Sequence, residues 1–148
     1  MKKIIAVSSE GGHWKQLSLL SNFLSNYDVK YVSTNRHLTA PDGKKVTFIN
    51  DANKDKKFKM FVVFIRALWI TLRLKPDVII STGAAPGFAF IFWGRLLGKK
   101  TIWIDSIANA SELSLSGKLA KKHASHVISQ WQDVAIKEGV IFKGTLLG

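Results

Sequence analysis

The chain has 148 residues, enough for one domain with a sizeable core, and its hydrophobic fraction of 47% excludes an intrinsically disordered protein. It contains no cysteine, which excludes disulfides and thiolate metal sites, and we predict no metal and no cofactor. The formal net charge of +12 predicts attraction to polyanions, whether nucleic acid, an anionic membrane surface or a phosphorylated ligand.

Short apolar runs alternate with helix-length segments along the chain. A continuous apolar run is typical of a strand buried on both faces of a parallel sheet. Strands are predicted at 4–7, 29–33, 46–49, 78–81, 101–104 and 127–129, with a short strand and tail within 140–148. Helices are predicted at 14–24, 57–75, 88–97 and 114–123. This order predicts one Rossmann-like α/β domain over 1–148, with a mostly parallel, doubly wound sheet.

The first predicted strand ends in a Gly11-Gly12-His13 turn, where a Rossmann fold holds its phosphate loop. Two glycines let a ligand approach the backbone, and the start of the next helix suits a phosphate. The third glycine of a dinucleotide fingerprint and an acid after the second strand are both missing, which argues against a nicotinamide enzyme. His13 either takes a proton from a sugar hydroxyl or caps and packs the helix. Glu10 either orients His13 or is solvated.

Polar and small residues also follow the fourth, fifth and sixth predicted strands. The loop Ser81-Thr82-Gly83-Ala84-Ala85-Pro86-Gly87 is either a second anion cradle or a tight strand–helix connection. Asp105, Asn109 and Glu112 either bind sugar hydroxyls or belong to the cap of the helix that Ser114 or Ser116 begins. Trp131 stacks on a sugar, packs in the core or lies at an interface. Carboxyl ends of parallel strands meet at one edge, so these loops are predicted to lie together.

The helix predicted at 57–75 is apolar nearly all round, and Lys59, Arg66 and Arg73 recur along one line at seven-residue intervals. It would be about 28 Å long, but a central Arg66 costs at least roughly 2.5 kcal/mol inside a bilayer. We therefore interpret it as an interfacial helix. The alternative is a helix buried between the sheet and another subunit. The predicted membrane-binding residues are Phe61, Phe64, Arg66, Trp69 and Arg73.

Together these segments resemble the PssD-type subunits of bacterial polysaccharide-biosynthesis glycosyltransferases. Those proteins are relatives of the membrane-anchoring, acceptor-side subunit of the eukaryotic split UDP-N-acetylglucosamine transferase of dolichol-linked oligosaccharide synthesis. The turn also resembles, more distantly, that of the enzyme that makes the lipid-linked disaccharide of peptidoglycan. The resemblance rests on Ser9-Glu10-Gly11-Gly12-His13-Trp14, Asp51-Ala52-Asn53-Lys54, Ser81-Thr82-Gly83-Ala84-Ala85-Pro86-Gly87, Trp103-Ile104-Asp105-Ser106-Ile107-Ala108-Asn109, Glu112-Leu113-Ser114-Leu115-Ser116-Gly117-Lys118 and Gln130-Trp131.

The resemblance implies the N-terminal half of a GT-B glycosyltransferase. Such an enzyme needs two Rossmann-like domains, and we expect a separate donor-binding chain to supply the other. The implied reaction moves a hexosyl or uronosyl group from a nucleotide diphosphate-sugar to a polyprenyl-diphosphate-linked saccharide, at the cytoplasmic face of an anionic membrane. The implied catalytic residues are His13, Glu112 and Asp105. Those implied to bind the acceptor or its phosphates are Ser9, Gly11, Gly12, Thr82, Gly83, Ala84, Gly87 and Asn109.

Two other functions remain open at this point. The chain could be a non-catalytic membrane anchor that recruits a catalytic glycosyltransferase partner. It could bind nucleic acid, which only the net charge suggests; no recognised binding motif is present, and we predict no nucleic-acid partner.

Overall fold

The computed structural model describes residues 1–52 and 56–146. Asn53 and Lys54 of the resemblance and the last residues of the predicted tail lie outside this range. The strands are β1 (Lys3–Ser8), β2 (Asp28–Ser33), β3 (Thr47–Phe48), β4 (Val78–Gly83), β5 (Lys100–Ile104), β6 (His126–Ser129) and β7 (Ile141–Phe142). The helices are α1 (Gly12–Ser18), α2 (Ser21–Leu24), α3 (Lys57–Leu74), α4 (Ala85–Leu96), α5 (Leu115–Ala120) and α6 (Gln132–Glu138).

The strands form one sheet in the order β3-β2-β1-β4-β5-β6-β7, and every neighbouring pair is parallel. The predicted mostly parallel, doubly wound sheet is confirmed. The chain reverses its direction of progress across the sheet between β1 and β4. Loops after these two strands diverge to opposite faces at such a point, which leaves a crevice outside their carboxyl ends.

Each face of the sheet carries its own hydrophobic core. Ile5 and Val7 of β1 join the core beneath α3, α4, α5 and α6, whereas Ile4 and Ala6 join the core beneath α1 and α2. All four side chains are at most 4% exposed. Burial on both faces is the physical reason for the continuous apolar runs in the sequence.

The structure differs from the predicted helices in three places. The single helix predicted at 14–24 is two short helices, because the N–H of Leu20 donates to the carbonyl of Leu17 and tightens the backbone into a 3₁₀-type turn. Helix α4 begins earlier than predicted, with Pro86 in its first turn. Helix α6 was not predicted, since its seven residues bury only Val134 and Ala135.

Helix α3 buries one narrow face and exposes an apolar one. Val63, Ala67, Ile70 and Thr71 are buried against the sheet. The opposite face carries large apolar side chains that are 48% to 78% exposed and recur every three or four residues. We call these residues the α3 stripe: Phe58, Phe61, Ile65, Trp69 and Leu72. Within the described residues, no helix is long and apolar enough to cross a membrane.

The orientation of α3 can be tested with one substitution at two adjacent residues. Val63 is fully buried and Val62 is half-exposed. We expect Val63→Ala to lower the free energy of unfolding by about 1–3 kcal/mol, through lost burial and the cavity left behind. Val62→Ala, with the same change in helix propensity, should cost less than about half as much. Urea unfolding followed by circular dichroism measures both, and equal losses would contradict the assigned orientation.

Candidate functional site

The loops that follow β1 and β4 are joined at the point where the sheet reverses. The Nδ1 atom of His13 lies 3.0 Å from the carbonyl oxygen of Thr82, and the hydroxyl of Thr82 donates to the carbonyl of His13 at 2.7 Å. The N–H of Ser9 donates to the carbonyl of Gly83 at 2.8 Å, and the N–H of Ala84 donates to Ser9 Oγ at 3.3 Å. The two glycine-containing loops therefore lie together, as their places after two strands predict.

Gly83 is required because the ring of His13 lies directly against its backbone. Its φ of +118° is a conformation that L side chains rarely adopt. A Cβ atom there would lie 2.5 Å from Nδ1 and 2.7 Å from Cε1 of His13. Any larger residue would displace the imidazole.

The contact with Thr82 also determines which nitrogen of His13 carries the proton. A backbone carbonyl can only accept a hydrogen bond, so Nδ1 must be the protonated nitrogen of the neutral ring. Nε2 then keeps a free lone pair. This tautomer is the one that a general base needs when Nε2 receives the proton.

His13 lies at the wall of a cavity of about 290 Å³ at the carboxyl edge of the sheet. Of the predicted site residues, the cavity brings together His13, Thr82, Gly83, Ala84, Asp105 and Asn109. The remaining lining residues are Trp103, Ser106, Ala108, Ser114, Leu115 and Ser116. A larger cavity of about 560 Å³ lies beside the start of β2 and contains none of the predicted site residues.

Asp105 is buried, and both of its carboxylate oxygens accept hydrogen bonds. Oδ1 accepts from Trp103 Nε1 at 3.0 Å and from the hydroxyl of Ser114 at 2.6 Å, and Oδ2 accepts from the N–H of Ser114 at 2.9 Å. Ser114 is the N-cap of α5, as one of the predicted alternatives has it, and its Oγ accepts from the N–H of Gly117. This arrangement suits a residue that positions the loop rather than one that reacts.

Several predicted site residues lie outside the cavity. Glu112, predicted to be catalytic, is exposed and pairs with Lys118 at 2.6 Å, and that ammonium holds the pKa of the Glu112 carboxyl below its usual value. Gly87, predicted to bind phosphate, instead packs against β4, where a Cβ atom would collide with the Ser81 hydroxyl. Gly11 and Gly12 are exposed beside the site, and Glu10 is exposed, with no hydrogen bond donated to its carboxylate among the described residues.

The sequence reasoning missed a buried pair of glutamine side chains behind the cavity. Gln16 donates to Ser106 Oγ at 3.1 Å and accepts from the N–H of Ile107 at 3.1 Å and from Gln130 Nε2 at 2.6 Å. Gln130 also donates to the carbonyl of Asp105 and accepts from the N–H of Leu146. The pair fixes the loop after β5 on α1. Gln16 lies on the buried face of a short helix, and only that burial could have drawn attention to it.

Helix α3 presents most of the predicted membrane-binding residues on its outer side. Phe61 and Trp69 are 63% and 59% exposed, and Arg73 lies over the Trp69 ring at 5.1 Å. Phe64 does not face outward as predicted: its ring packs on Phe88, Phe92 and Trp93 of α4. Its position on the flank of the helix, between the buried and exposed faces, is the reason.

Trp131 follows β6 at the carboxyl edge of the sheet and is 38% exposed. Its indole N–H donates to the carbonyl of Ile107 at 2.6 Å, so the side chain holds the loop after β5 rather than packing in the core.

Comparison with solved structures agrees with this fold. MurG of Acinetobacter baumannii superposes with a TM-score of 0.75 at 15% identity, covering 90% of this chain and 43% of that one. UDP-N-acetylglucosamine 2-epimerase of Rickettsia bellii superposes with a TM-score of 0.76 at 13% identity, covering 99% and 46%. The chain thus spans less than half of each of these proteins. The predicted Rossmann-like, GT-B-type fold is confirmed.

Comparison with known sequences finds relatives that share one name. The UDP-N-acetylglucosamine transferase subunit alg14 of Schizosaccharomyces pombe is 26% identical over 169 residues, covering 92% of this chain and 79% of that protein. Subunit ALG14 of Eremothecium gossypii is 31% identical over 70 residues, covering 43% of this chain and only 31% of the relative. These relatives carry the Alg14 name, so the bacterial PssD-type label stays a prediction.

The model of the family described as "Oligosaccharide biosynthesis protein Alg14 like" matches residues 34–146. That range contains the loops after β4, β5 and β6 that line or support the cavity. The chain therefore belongs to the Alg14-like family of oligosaccharide biosynthesis proteins.

Proposed function

We propose that this chain is the acceptor-binding, membrane-associated subunit of a split glycosyltransferase. The reaction transfers a sugar from a nucleotide diphosphate-sugar to a polyprenyl-diphosphate-linked saccharide, and a separate donor-binding chain completes the site. The observation that carries this proposal is His13, held against Thr82 and Gly83 at the mouth of the crevice with Nε2 free to accept a proton. Use of the product in polysaccharide biosynthesis is part of the proposal and rests on the sequence resemblance alone.

The chemistry assigned to His13 is general base catalysis. Nε2 takes the proton of an acceptor hydroxyl as its oxygen attacks the anomeric carbon of the donor sugar. The bond between that carbon and the nucleoside diphosphate breaks, and the diphosphate leaves with the electron pair. The starts of α1 and α4 both lie at this edge and have no side-chain cap, so their free N–H groups favour negative charge there.

The other polar residues of the cavity are assigned to holding the acceptor sugar. Asn109 and Ser106 lie on the loop after β5, and Gln16 and Asp105 fix that loop from behind. Asp105 is thus a positioning residue, and Glu112 drops out of the reacting set because it lies outside the cavity. Ser9 supports the loop after β4 through Ala84.

The donor and the partner are proposed from the relatives' names. Both are UDP-N-acetylglucosamine transferase subunits, so UDP-N-acetylglucosamine is the donor to test first. A subunit implies a second chain. The cavity on this chain is lined by the polar side chains that we assign to the acceptor sugar. We therefore assign the nucleotide of the donor to that second chain.

Membrane association is proposed from the α3 stripe. Five large apolar side chains stand in a row on the outside of one helix, with Lys59, Arg66 and Arg73 along its flank. An apolar row beside a basic row is the pattern of a helix lying at the boundary of an anionic bilayer. Peripheral attachment at the cytoplasmic face would bring the cavity to a lipid-linked acceptor.

The role of His13 is tested by His13→Ala in the complex with its partner chain. We expect kcat to fall about 100-fold or more, since a positioned base contributes at least that much. His126→Ala, an exposed histidine at the opposite edge of the sheet, should leave kcat unchanged. Turnover unaffected by His13→Ala would instead favour a non-catalytic anchor that recruits the catalytic partner.

The role of Asp105 is tested by Asp105→Asn. An amide replaces one acceptor oxygen by a donor that faces Ser114, so the free energy of unfolding should fall by about 2–4 kcal/mol. Asp133→Asn, at an exposed aspartate of α6, should change it by less than about 0.5 kcal/mol. Urea titration measures both. A stable Asp105→Asn protein that has lost only kcat would return Asp105 to the reacting groups.

Membrane binding is tested by co-sedimentation with vesicles that contain anionic lipid. The double variant Phe61→Asp with Trp69→Asp should lose most of its binding, by about tenfold or more, because two aromatic side chains that would enter the bilayer are replaced by carboxylates that anionic lipid repels. Ile136→Asp, on the exposed side of α6, is the control for a carboxylate added elsewhere on the surface and should keep its binding nearly unchanged. Equal vesicle binding by the double variant and by Ile136→Asp would contradict a role of the α3 stripe in membrane binding.

A further inference from the structure

Two arginines from different parts of the chain meet on the ring of Phe48, the last residue of β3. The guanidinium carbon of Arg36 lies 4.4 Å from the ring centroid and that of Arg66, on α3, lies 5.9 Å from it. Arg66 also donates to the carbonyl of Phe48 at 3.5 Å. Stacking on an aromatic ring orients a guanidinium while leaving its edge N–H groups free to donate.

Neither guanidinium has an acidic partner in the part of the chain that the structure describes. The ion pair found there joins Lys118 to Glu112, far along the sequence. Both arginines are exposed. Two oriented guanidinium groups thus share one ring, with no carboxylate of the described residues between them. Such a site suits a phosphate or diphosphate, because a pair of phosphate oxygens can accept two parallel hydrogen bonds from one guanidinium group.

A cavity of about 290 Å³ adjoins Phe48 on the side of the first turns of α3. Its walls are Phe48, Phe58 and Val62, together with Lys59, Asn50 and Asp51. The side-chain oxygen of Asn50 is buried without a hydrogen-bond partner. Among the described residues that line this cavity or lie on the Phe48 ring, there are three cations, Arg36, Arg66 and Lys59, and one carboxylate, Asp51. Apolar walls beside a surplus of cations suit a ligand that is part hydrocarbon and part phosphate.

The position of this site matches the order of groups in a lipid-linked acceptor. Phe48 pairs with Ser33, and Ser33 pairs with Ser8, so the end of β3 lies at the same edge of the sheet as the end of β1, two strand spacings or roughly 10 Å from it. Phe58, the first residue of the α3 stripe, forms its outer wall. The hydrocarbon of such an acceptor would thus contact the α3 stripe, and its diphosphate would contact the two arginines. Its sugar would then reach the cavity of His13.

We infer that Arg36 and Arg66 bind the diphosphate of a polyprenyl-diphosphate acceptor, and that the cavity beside Phe58 receives its first isoprene unit. The inference rests on the proposed function and assigns the acceptor's lipid end to residues of this chain. It predicts that the chain recognises a prenyl diphosphate even when no sugar is attached.

The test uses the full-length chain with farnesyl diphosphate and inorganic diphosphate as probes, measured by isothermal titration calorimetry. Arg36→Gln and Arg66→Gln should each weaken both probes about tenfold, the loss expected for one charge-assisted hydrogen bond. Phe58→Ala should weaken farnesyl diphosphate only. Arg95→Gln is the matched control: it removes the same charge from an exposed arginine in the last turn of α4, and it should leave both probes unchanged.

Three results would overturn the inference. The first is no binding of farnesyl diphosphate to the unaltered chain at millimolar concentration. The second is an equal loss for Arg95→Gln, which would mean that only net charge matters. The third is unchanged farnesyl diphosphate binding in Arg36→Gln and Arg66→Gln with weakened sedimentation on phosphatidylglycerol vesicles, which would assign the pair to phospholipid headgroups.

The same measurement separates this inference from the proposed function. His13→Ala should bind farnesyl diphosphate as the unaltered chain does while transfer is lost. If farnesyl diphosphate binding needs the arginine pair but His13→Ala does not reduce transfer, the lipid site is retained. Only the catalytic role of His13 is then removed.

Discussion

Two hydrogen bonds between His13 and Thr82, one in each direction, set the geometry on which the site depends. They join the ends of β1 and β4, the two strands between which the sheet reverses. Gly83 leaves room for the ring, and the N–H of Ser9 joins the same two loops by donating to the carbonyl of Gly83. Because the loops are fixed to each other, His13 of α1 and the residues from Thr82 to Ala84 form one continuous part of the cavity wall.

Much of the fold and part of the site could be predicted from the sequence, because they follow from local patterns. The continuous apolar runs of β1 and β4 mark strands that are buried on both faces, and the strand order then places the residues that follow them at one edge. His13, Thr82 and Asp105 are placed together in this way, and all three line the same cavity in the structure. The apolar surplus of α3 was visible as well, since one helix cannot bury every side of itself.

What the sequence could not provide depends on contacts between distant residues. Gln16 and Gln130 are separated by 114 positions, and each looks like an ordinary polar residue until the fold buries both. Gly87 resembles a ligand-binding glycine, and only the approach of the Ser81 hydroxyl gives it a packing role. Phe64 belongs to the same apolar helix as Phe61, but the arrival of α4 covers one and leaves the other exposed.

The carbonyl of Thr82 differs in one respect from a carboxylate, the other common partner of a histidine Nδ1: it cannot change its protonation state. An imidazole keeps its Nδ1 proton whether Nε2 is empty or occupied, so the same hydrogen bond persists in the neutral and the charged ring. The ring has no reason to turn between accepting a proton and releasing it. His13 would therefore complete a cycle of proton transfer without any rearrangement of the loops that hold it.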